Sequence, residues 1–275
     1  MITVCGICPH RCKLDENQTG FCRARSNRGG AIVSINYALL TSIALDPIEK
    51  KPLCRFYPGG KILSVGSFGC NFRCSFCQNH EISMTGEGRM PVRHVVPEEL
   101  VRIAVELIPK GNIGIAFTYN EPLIGYEYVL ECAKLAAEEG LKIVLVTNGY
   151  INEEPFLELL PYVHALNIDL KAYNEDFYNR IGGGLEQVKH SIELAAGCSH
   201  VEVTTLIIPG ENDSEEEIRS LSRWLSDVSS DIPLHLTRFF PRYHMKDKAA
   251  TGVERIYSLA ETAREYLKYV YEGNC

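Results

Sequence analysis

From Lys61 onward, short apolar runs alternate with amphipathic stretches at a regular beat. Residues 62–67, 113–118, 142–147, 164–170, 201–208 and 234–239 are rich in Val, Ile and Leu. They are continuous rather than alternating, as expected of strands covered on both faces. Between them the apolar positions follow helical spacing. Helices are predicted over residues 97–108, opened by Pro-Glu-Glu, and over 124–139, stopped by Gly140. Further helices are predicted over 153–160, over 174–196 with an interruption at Gly182-Gly183-Gly184, over 214–225 with Ser214 as cap, and over 253–266. The tail KYVYEGNC reads as a last edge strand. Six strands, each followed by a helix, pair most economically in parallel with right-handed crossovers. That is too few for a closed eight-fold barrel, and a partial (β/α)6 barrel and an open doubly wound sheet both satisfy the pattern.

The first 60 residues break this rhythm. A short strand is predicted within AIVSINYALL, followed by a Pro- and Gly-rich loop over 46–60. We therefore expect a small cysteine-rich N-terminal segment over 1–60 and an α/β domain over 61–275. Within the segment, Cys5, Cys8, Cys12 and Cys22 stand in the order C-x2-C-x3-C-x9-C. Four thiols in so short and polar a stretch suit Zn²⁺ or a second iron–sulfur cluster, either of which gives a coreless piece of chain a reason to fold. Free packed thiols are the plain alternative. His10 is a substitute ligand or a solvated loop histidine.

Charge and composition narrow the function. The net charge of −7 disfavours general nucleic-acid binding, which calls for a basic surface. No stretch approaches the ~20 consecutive apolar residues that span a bilayer, and the start MITVCGICPHRC has no signal-peptide pattern. Eleven cysteines without an export signal point to the cytoplasm and to metal chemistry rather than disulfides.

The densest chemistry follows the first of the six strands. Cys70, Cys74 and Cys77 form C-x3-C-x2-C in a glycine-bearing loop, GSFGCNFRCSFCQN. Three close thiolates are one short of the four that usually hold an iron–sulfur cubane, which leaves one iron for a small molecule. Two plainer readings compete. The three cysteines share one face if helical, but Gly69, Asn71, Arg73, Ser75 and Gln78 make poor core-helix material. Cys74 and Cys77 alone read as a thioredoxin-like dithiol, and a thiol–disulfide oxidoreductase then follows. The cysteine spacing, with Phe76 before the last cysteine, resembles the radical S-adenosylmethionine (radical SAM) superfamily.

The resemblance implies a partial barrel, with Cys70, Cys74 and Cys77 holding a 4Fe–4S cluster whose open iron chelates S-adenosylmethionine. It implies reductive cleavage of that cofactor to a 5′-deoxyadenosyl radical, which abstracts hydrogen from a substrate. A reductant such as a flavodoxin or ferredoxin is implied too. Ligands of α/β sheets and barrels gather at the carboxyl ends of strands. The segment YNEP resembles the family's Gly-Gly-Glu-Pro stretch, so Glu121 is implied as a cofactor-binding carboxylate. Thr147-Asn148-Gly149 and Asp169-Leu170-Lys171 resemble the activases of glycyl radical enzymes, implying cofactor contacts by Asn148, Asp169 and Lys171. Val146 stands where those activases carry an acid, so their cation site is not implied. Phe76 and Ile208 are implied to meet the adenine, and His235 is expected to face the site.

Across the chain, C-x2-C-P-H-x-C, DPIEKKP, CNFRCSFCQN, YNEP, DLKAY and IIPGENDS resemble the radical SAM enzyme of the AmmeMemoRadiSam system, a group related to pyruvate formate-lyase activating enzymes. The substrate stays open, a protein glycine being one candidate by that relationship. A zinc-stabilised, non-catalytic interaction module on the same fold is the competing reading.

Overall fold

A computed structural model describes residues 1–275. Eight strands form one sheet: β1 (Ser42–Pro47), β2 (Lys61–Gly66), β3 (Asn112–Phe117), β4 (Lys142–Thr147), β5 (Ala165–Asp169), β6 (His200–Ile207), β7 (Leu234–Arg238) and β8 (Val270–Gly273). They lie side by side in chain order, from β8 at one edge to β1 at the other. All pairs from β2 to β8 are parallel, and β1 runs antiparallel to β2. The six apolar runs thus become adjacent parallel strands, and the tail adds the edge strand expected of it. The helices are α1 (His80–Ser83), α2 (Pro97–Glu106), α3 (Tyr126–Glu138), α4 (Glu153–Leu159), α5 (Glu175–Ile181), α6 (Leu185–Ala196), α7 (Glu215–Ser229) and α8 (Val253–Arg264). The sheet does not close on itself, and the architecture is a partial barrel.

Local chemistry explains the register. At the β2–β3 seam the pairing shifts between Lys61 and Leu63. There Asn112 replaces the missing ladder partner: its Oδ1 accepts from the Leu63 amide at 2.8 Å, while its Nδ2 donates to the Ala104 carbonyl at 2.8 Å. Beside it, a Cβ on Gly114 would sit 1.8 Å from the Lys142 carbonyl oxygen, so β3 and β4 approach only because no side chain intervenes. The expected helix over 174–196 divides into α5 and α6 at Gly182, which takes φ +79°. The Ser214 hydroxyl accepts from the Glu217 amide at 3.1 Å, the anticipated cap.

The strand β1 departs from the expected loop. Its polar Asp46 and terminal Pro47 hide it in the sequence, yet both are tolerated at a sheet edge, where one side of the backbone needs no partner. The sheet therefore draws on residues before Lys61. Further upstream, two ribbons form, Thr3–Val4 with Lys13–Leu14 and Arg25–Arg28 with Ala31–Ser34, the second turning through Gly29-Gly30. Arg25 ties this segment to the barrel. It is buried, donates to the Ile124 carbonyl at 3.0 Å, and forms a bidentate pair with Glu127 of α3 at 2.7 and 2.5 Å.

Candidate metal centre and the cavity beside it

The loop after β2 is held from every side before any metal is considered. Gly69 takes φ +87°, and a Cβ there would lie 2.5 Å from the Cys22 carbonyl oxygen. That carbonyl accepts from the Cys70 amide at 3.2 Å. Asn120 receives the Ser67 amide on Oδ1 at 2.9 Å and donates to the Gly69 carbonyl at 3.1 Å. Asn71 donates to the Tyr150 carbonyl at 2.7 Å, and Asn148 donates to Asn71 Oδ1 at 2.8 Å. The Arg73 amide bonds to the Ile181 carbonyl at 2.7 Å. Position and direction of the cysteines are thus set by the chain itself.

Cys70, Cys74 and Cys77 line one cavity of about 730 Å³ at the carboxyl ends of the strands. Burial pushes the Cys74 thiol up to about 12 and the Cys70 thiol well above its ordinary range, so an unliganded sulfur stays protonated. Donors nevertheless favour a thiolate at Cys70: the Phe72 amide reaches its Sγ at 3.3 Å and Asn148 Nδ2 lies at 3.8 Å. Three of these sulfurs do not crowd within 4.8 Å of one another. A single tetrahedral zinc at ~2.3 Å would draw its thiolates to ~3.8 Å. In a cluster each thiolate binds its own iron, and the donor set fits that arrangement.

The same cavity receives Phe76, Glu121, Asn148, Asp169, Lys171 and His235. Lys171 Nζ pairs with Asp169 Oδ2 at 2.6 Å. Burial opposes the Lys171 charge, but Asp169 and the nearby sulfurs outweigh it and hold the ammonium above its ordinary pKa. Glu121 is buried. Its carboxylate accepts from the Leu123 amide at 3.0 Å, Thr147 Oγ1 at 2.7 Å and the Asn148 amide at 2.8 Å. Burial outweighs these donors and raises its pKa to about 7. Ile208 is the exception. β6 ends at Ile207 and the chain turns, the Ile208 amide donating to Asn212 Oδ1 at 2.7 Å. Its side chain enters the core, and Leu206 and Thr204 line the cavity from β6 instead.

Two polar networks at the cavity escape sequence reasoning. Glu202, fully buried mid-strand in β6, accepts four hydrogen bonds. They come from the Cys54 amide at 3.0 Å, the Arg55 amide at 2.8 Å, His200 Nε2 at 2.9 Å and His235 Nε2 at 2.6 Å. One ligand atom each of Cys54, Glu202 and His235 lies within 4.8 Å of the others. In the second network, Lys51 is buried and pairs with Asp46 Oδ2 at 2.9 Å, which also accepts from Tyr119 Oη at 2.7 Å. Tyr119 takes φ +71°, a strained conformation for an aromatic residue. A lone acid in an apolar strand was the one available hint of the first network. His10 Nε2 lies 2.9 Å from the Asn71 carbonyl oxygen, against the cluster loop rather than in solvent. No helix is long and apolar enough to cross a membrane.

Comparison with known proteins agrees with this geometry. Residues 64–221 match the Radical SAM superfamily. A Methanocaldococcus jannaschii protein of uncharacterized function is 40% identical over 274 residues, covering 98% of this chain and 80% of that one. The pyruvate formate-lyase-activating enzyme of Clostridium pasteurianum is 26% identical over 167 residues, 58% of this chain and 67% of its own. Among solved structures, a radical SAM methyltransferase from Sphaerobacter thermophilus shares the fold, with a TM-score of 0.57 and 20% identity over 79% of this chain and 67% of that one. The three-cysteine loop lies inside the matched region, where the superfamily carries its 4Fe–4S cluster and S-adenosylmethionine, and the chain belongs to the radical SAM superfamily.

Proposed function

We propose that Cys70, Cys74 and Cys77 hold a 4Fe–4S cluster whose remaining iron takes the amino and carboxylate groups of S-adenosylmethionine. When bound, the cluster supplies one electron that cleaves the sulfonium to methionine and a 5′-deoxyadenosyl radical. The observation that carries this reading is the meeting of the three loop sulfurs with a buried carboxylate and a half-buried ammonium at one cavity. Lys171, held charged by Asp169, supports the cofactor carboxylate; Glu121 supports its ammonium. Asn148 both braces Asn71 and donates toward Cys70, tuning the sulfur it faces. Phe76 offers an apolar wall to the adenine.

The exposed Glu49, Lys50 and Asn274 and the buried His235 line the same cavity, and offer a substrate its outer and inner contacts. Similarity to the Clostridium pasteurianum activating enzyme supports hydrogen abstraction from a protein glycine as the first candidate reaction. A low-potential flavodoxin or ferredoxin in a reducing cytoplasm suits the free cysteines. The reading is tested on anaerobically reconstituted, dithionite-reduced protein incubated with S-adenosylmethionine. Formation of 5′-deoxyadenosine is expected, with none from Cys74→Ala. No product from the parent, or equal product from the variant, overturns it.

A further inference from the structure

Cys5, Cys8, Cys12 and Cys22 line a cavity of about 10 Å³ within the N-terminal segment, separate from the large one. On the wall of the large cavity stands a residue in a conformation foreign to its type. Tyr119 takes φ +71°, in the left-handed region that suits glycine and strains an aromatic residue. Such a backbone persists only where its surroundings hold it.

The hold comes from outside the parallel strands. Tyr119 Oη donates to Asp46 Oδ2 at 2.7 Å, and Lys51 Nζ donates to the same oxygen at 2.9 Å. Lys50 Nζ reaches Asp46 Oδ1 at 3.3 Å. Lys51 is 2% exposed, and its Nζ also lies 4.7 Å from the centre of the Tyr119 ring. The ring abuts Gly66 at the end of β2, where a Cβ would come within 2.8 Å of Tyr119 Cδ2.

The groups that follow in the chain all serve the site. The Tyr119 carbonyl accepts from Asn79 Nδ2 at 2.7 Å, just beyond Cys77. Asn120 spans the start of the cysteine loop, taking the Ser67 amide and donating to the Gly69 carbonyl. Glu121 comes next, fixed by the Leu123 and Asn148 amides and the Thr147 hydroxyl. A tyrosine released to its ordinary negative φ would turn this carbonyl, amide and carboxylate away from their partners.

We propose that Tyr119 is a positioning residue. Its hydroxyl, latched onto the Asp46–Lys51 pair, keeps residues 119–121 in the turn that presents Glu121 to the ammonium group of S-adenosylmethionine. The part played by Glu121 rests on the proposed function, whereas the latch itself does not. Strand β1, which supplies Asp46, thereby becomes a support of the site.

Two variants of the full chain, each reconstituted with iron and sulfide, test the latch. Tyr119→Phe keeps the ring and its volume but loses the hydroxyl. Tyr119→Gly loses both and reaches the left-handed backbone unaided. If packing of the ring were the whole of its role, Phe would resemble the parent and Gly would be the damaged one. The latch predicts the reverse order. Hydrogen exchange read by mass spectrometry, without S-adenosylmethionine, should show segments 66–70 and 121–124 losing protection about tenfold in Tyr119→Phe and less in Tyr119→Gly. Calorimetry should show S-adenosylmethionine binding weakened about tenfold in Tyr119→Phe and by a smaller factor in Tyr119→Gly. The inference is overturned by parent-like exchange in Tyr119→Phe, by Gly as the more damaged variant, or by faster exchange with unchanged cofactor affinity. A Tyr119→Phe protein that does not fold at all also overturns it, because the latch predicts only a local opening. A parent that never binds S-adenosylmethionine refutes the proposed function, and the exchange rates still decide the latch.

Discussion

Replacing Glu202 with Gln separates the energetic value of the buried network from its shape. The carboxylate takes four donors, two on each oxygen: the Cys54 amide and His235 on Oε2, the Arg55 amide and His200 on Oε1. Glutamine keeps the volume but turns one acceptor into a donor, so two of the four lose their partner. At ~1–3 kcal/mol for each of the two stranded buried donors, the loss is about 2–6 kcal/mol. The carboxyl pKa gives a second route to the same figure. Burial alone would raise it, but His200, His235 and the two amides bring it from 4.5 to about 2. At ~1.4 kcal/mol per pH unit that drop is worth about 3 kcal/mol. Because the folded value is depressed, this stability is fully present above pH 4.5 and fades as pH falls toward 2. Urea unfolding followed by circular dichroism, run at several pH values on cluster-free protein, measures both quantities. Parent and variant should differ by about 3 kcal/mol near neutrality and draw together by roughly 1 kcal/mol at mildly acidic pH. A gap below about 1 kcal/mol at neutrality, or one that does not narrow on acidification, refutes the reasoning.

Other perturbations test neighbouring parts of the structure. Asp46→Asn leaves the Lys51 ammonium buried without its anion and should cost about 3 kcal/mol, most of it recovered when Lys51→Met is added; denaturant midpoints of the two singles and the double decide it. Gly69→Ala forces a Cβ toward the Cys22 carbonyl in a left-handed backbone, and iron analysis after reconstitution should show cluster loss with the sheet's far-ultraviolet signal kept. Lys171→Met should weaken S-adenosylmethionine binding about tenfold or more, read by calorimetry on reconstituted protein, since a charge-assisted contact is worth ~1.5–3 kcal/mol. Asn148→Ala removes a donor from the surroundings of Cys70 Sγ and should make the cluster potential more negative in a spectroelectrochemical titration.

The parallel strands were legible because covering both faces leaves uninterrupted apolar runs, and β2 to β7 form where those runs stand. The cysteine loop was legible for a different reason: its spacing is covalent, so no tertiary contact is needed to see it. Ile208 failed at a boundary. It has the same parity as Thr204 and Leu206, yet β6 stops one residue earlier and the turn swings the side chain into the core. Edge strand β1 was illegible because half-exposed strands tolerate Asp and Pro, the residues that ordinarily argue for loops. The network around Glu202 was hidden by distance along the chain. It joins Cys54, Glu202 and His235, of which the sequence marked only His235 as site-facing, and nothing in the chain order showed the three meeting.

Strand β1 has a practical corollary. It occupies the antiparallel flank of β2, so the open hydrogen-bonding edge on that side belongs to a short strand ending in proline. Cutting the gene at Lys61 to isolate the cysteine loop and its strands would uncover the hydrogen-bonding edge of a six-residue strand whose last five residues are otherwise buried. Such a fragment presents a template for its own copies, and is a poor vehicle for metal analysis compared with the intact polypeptide.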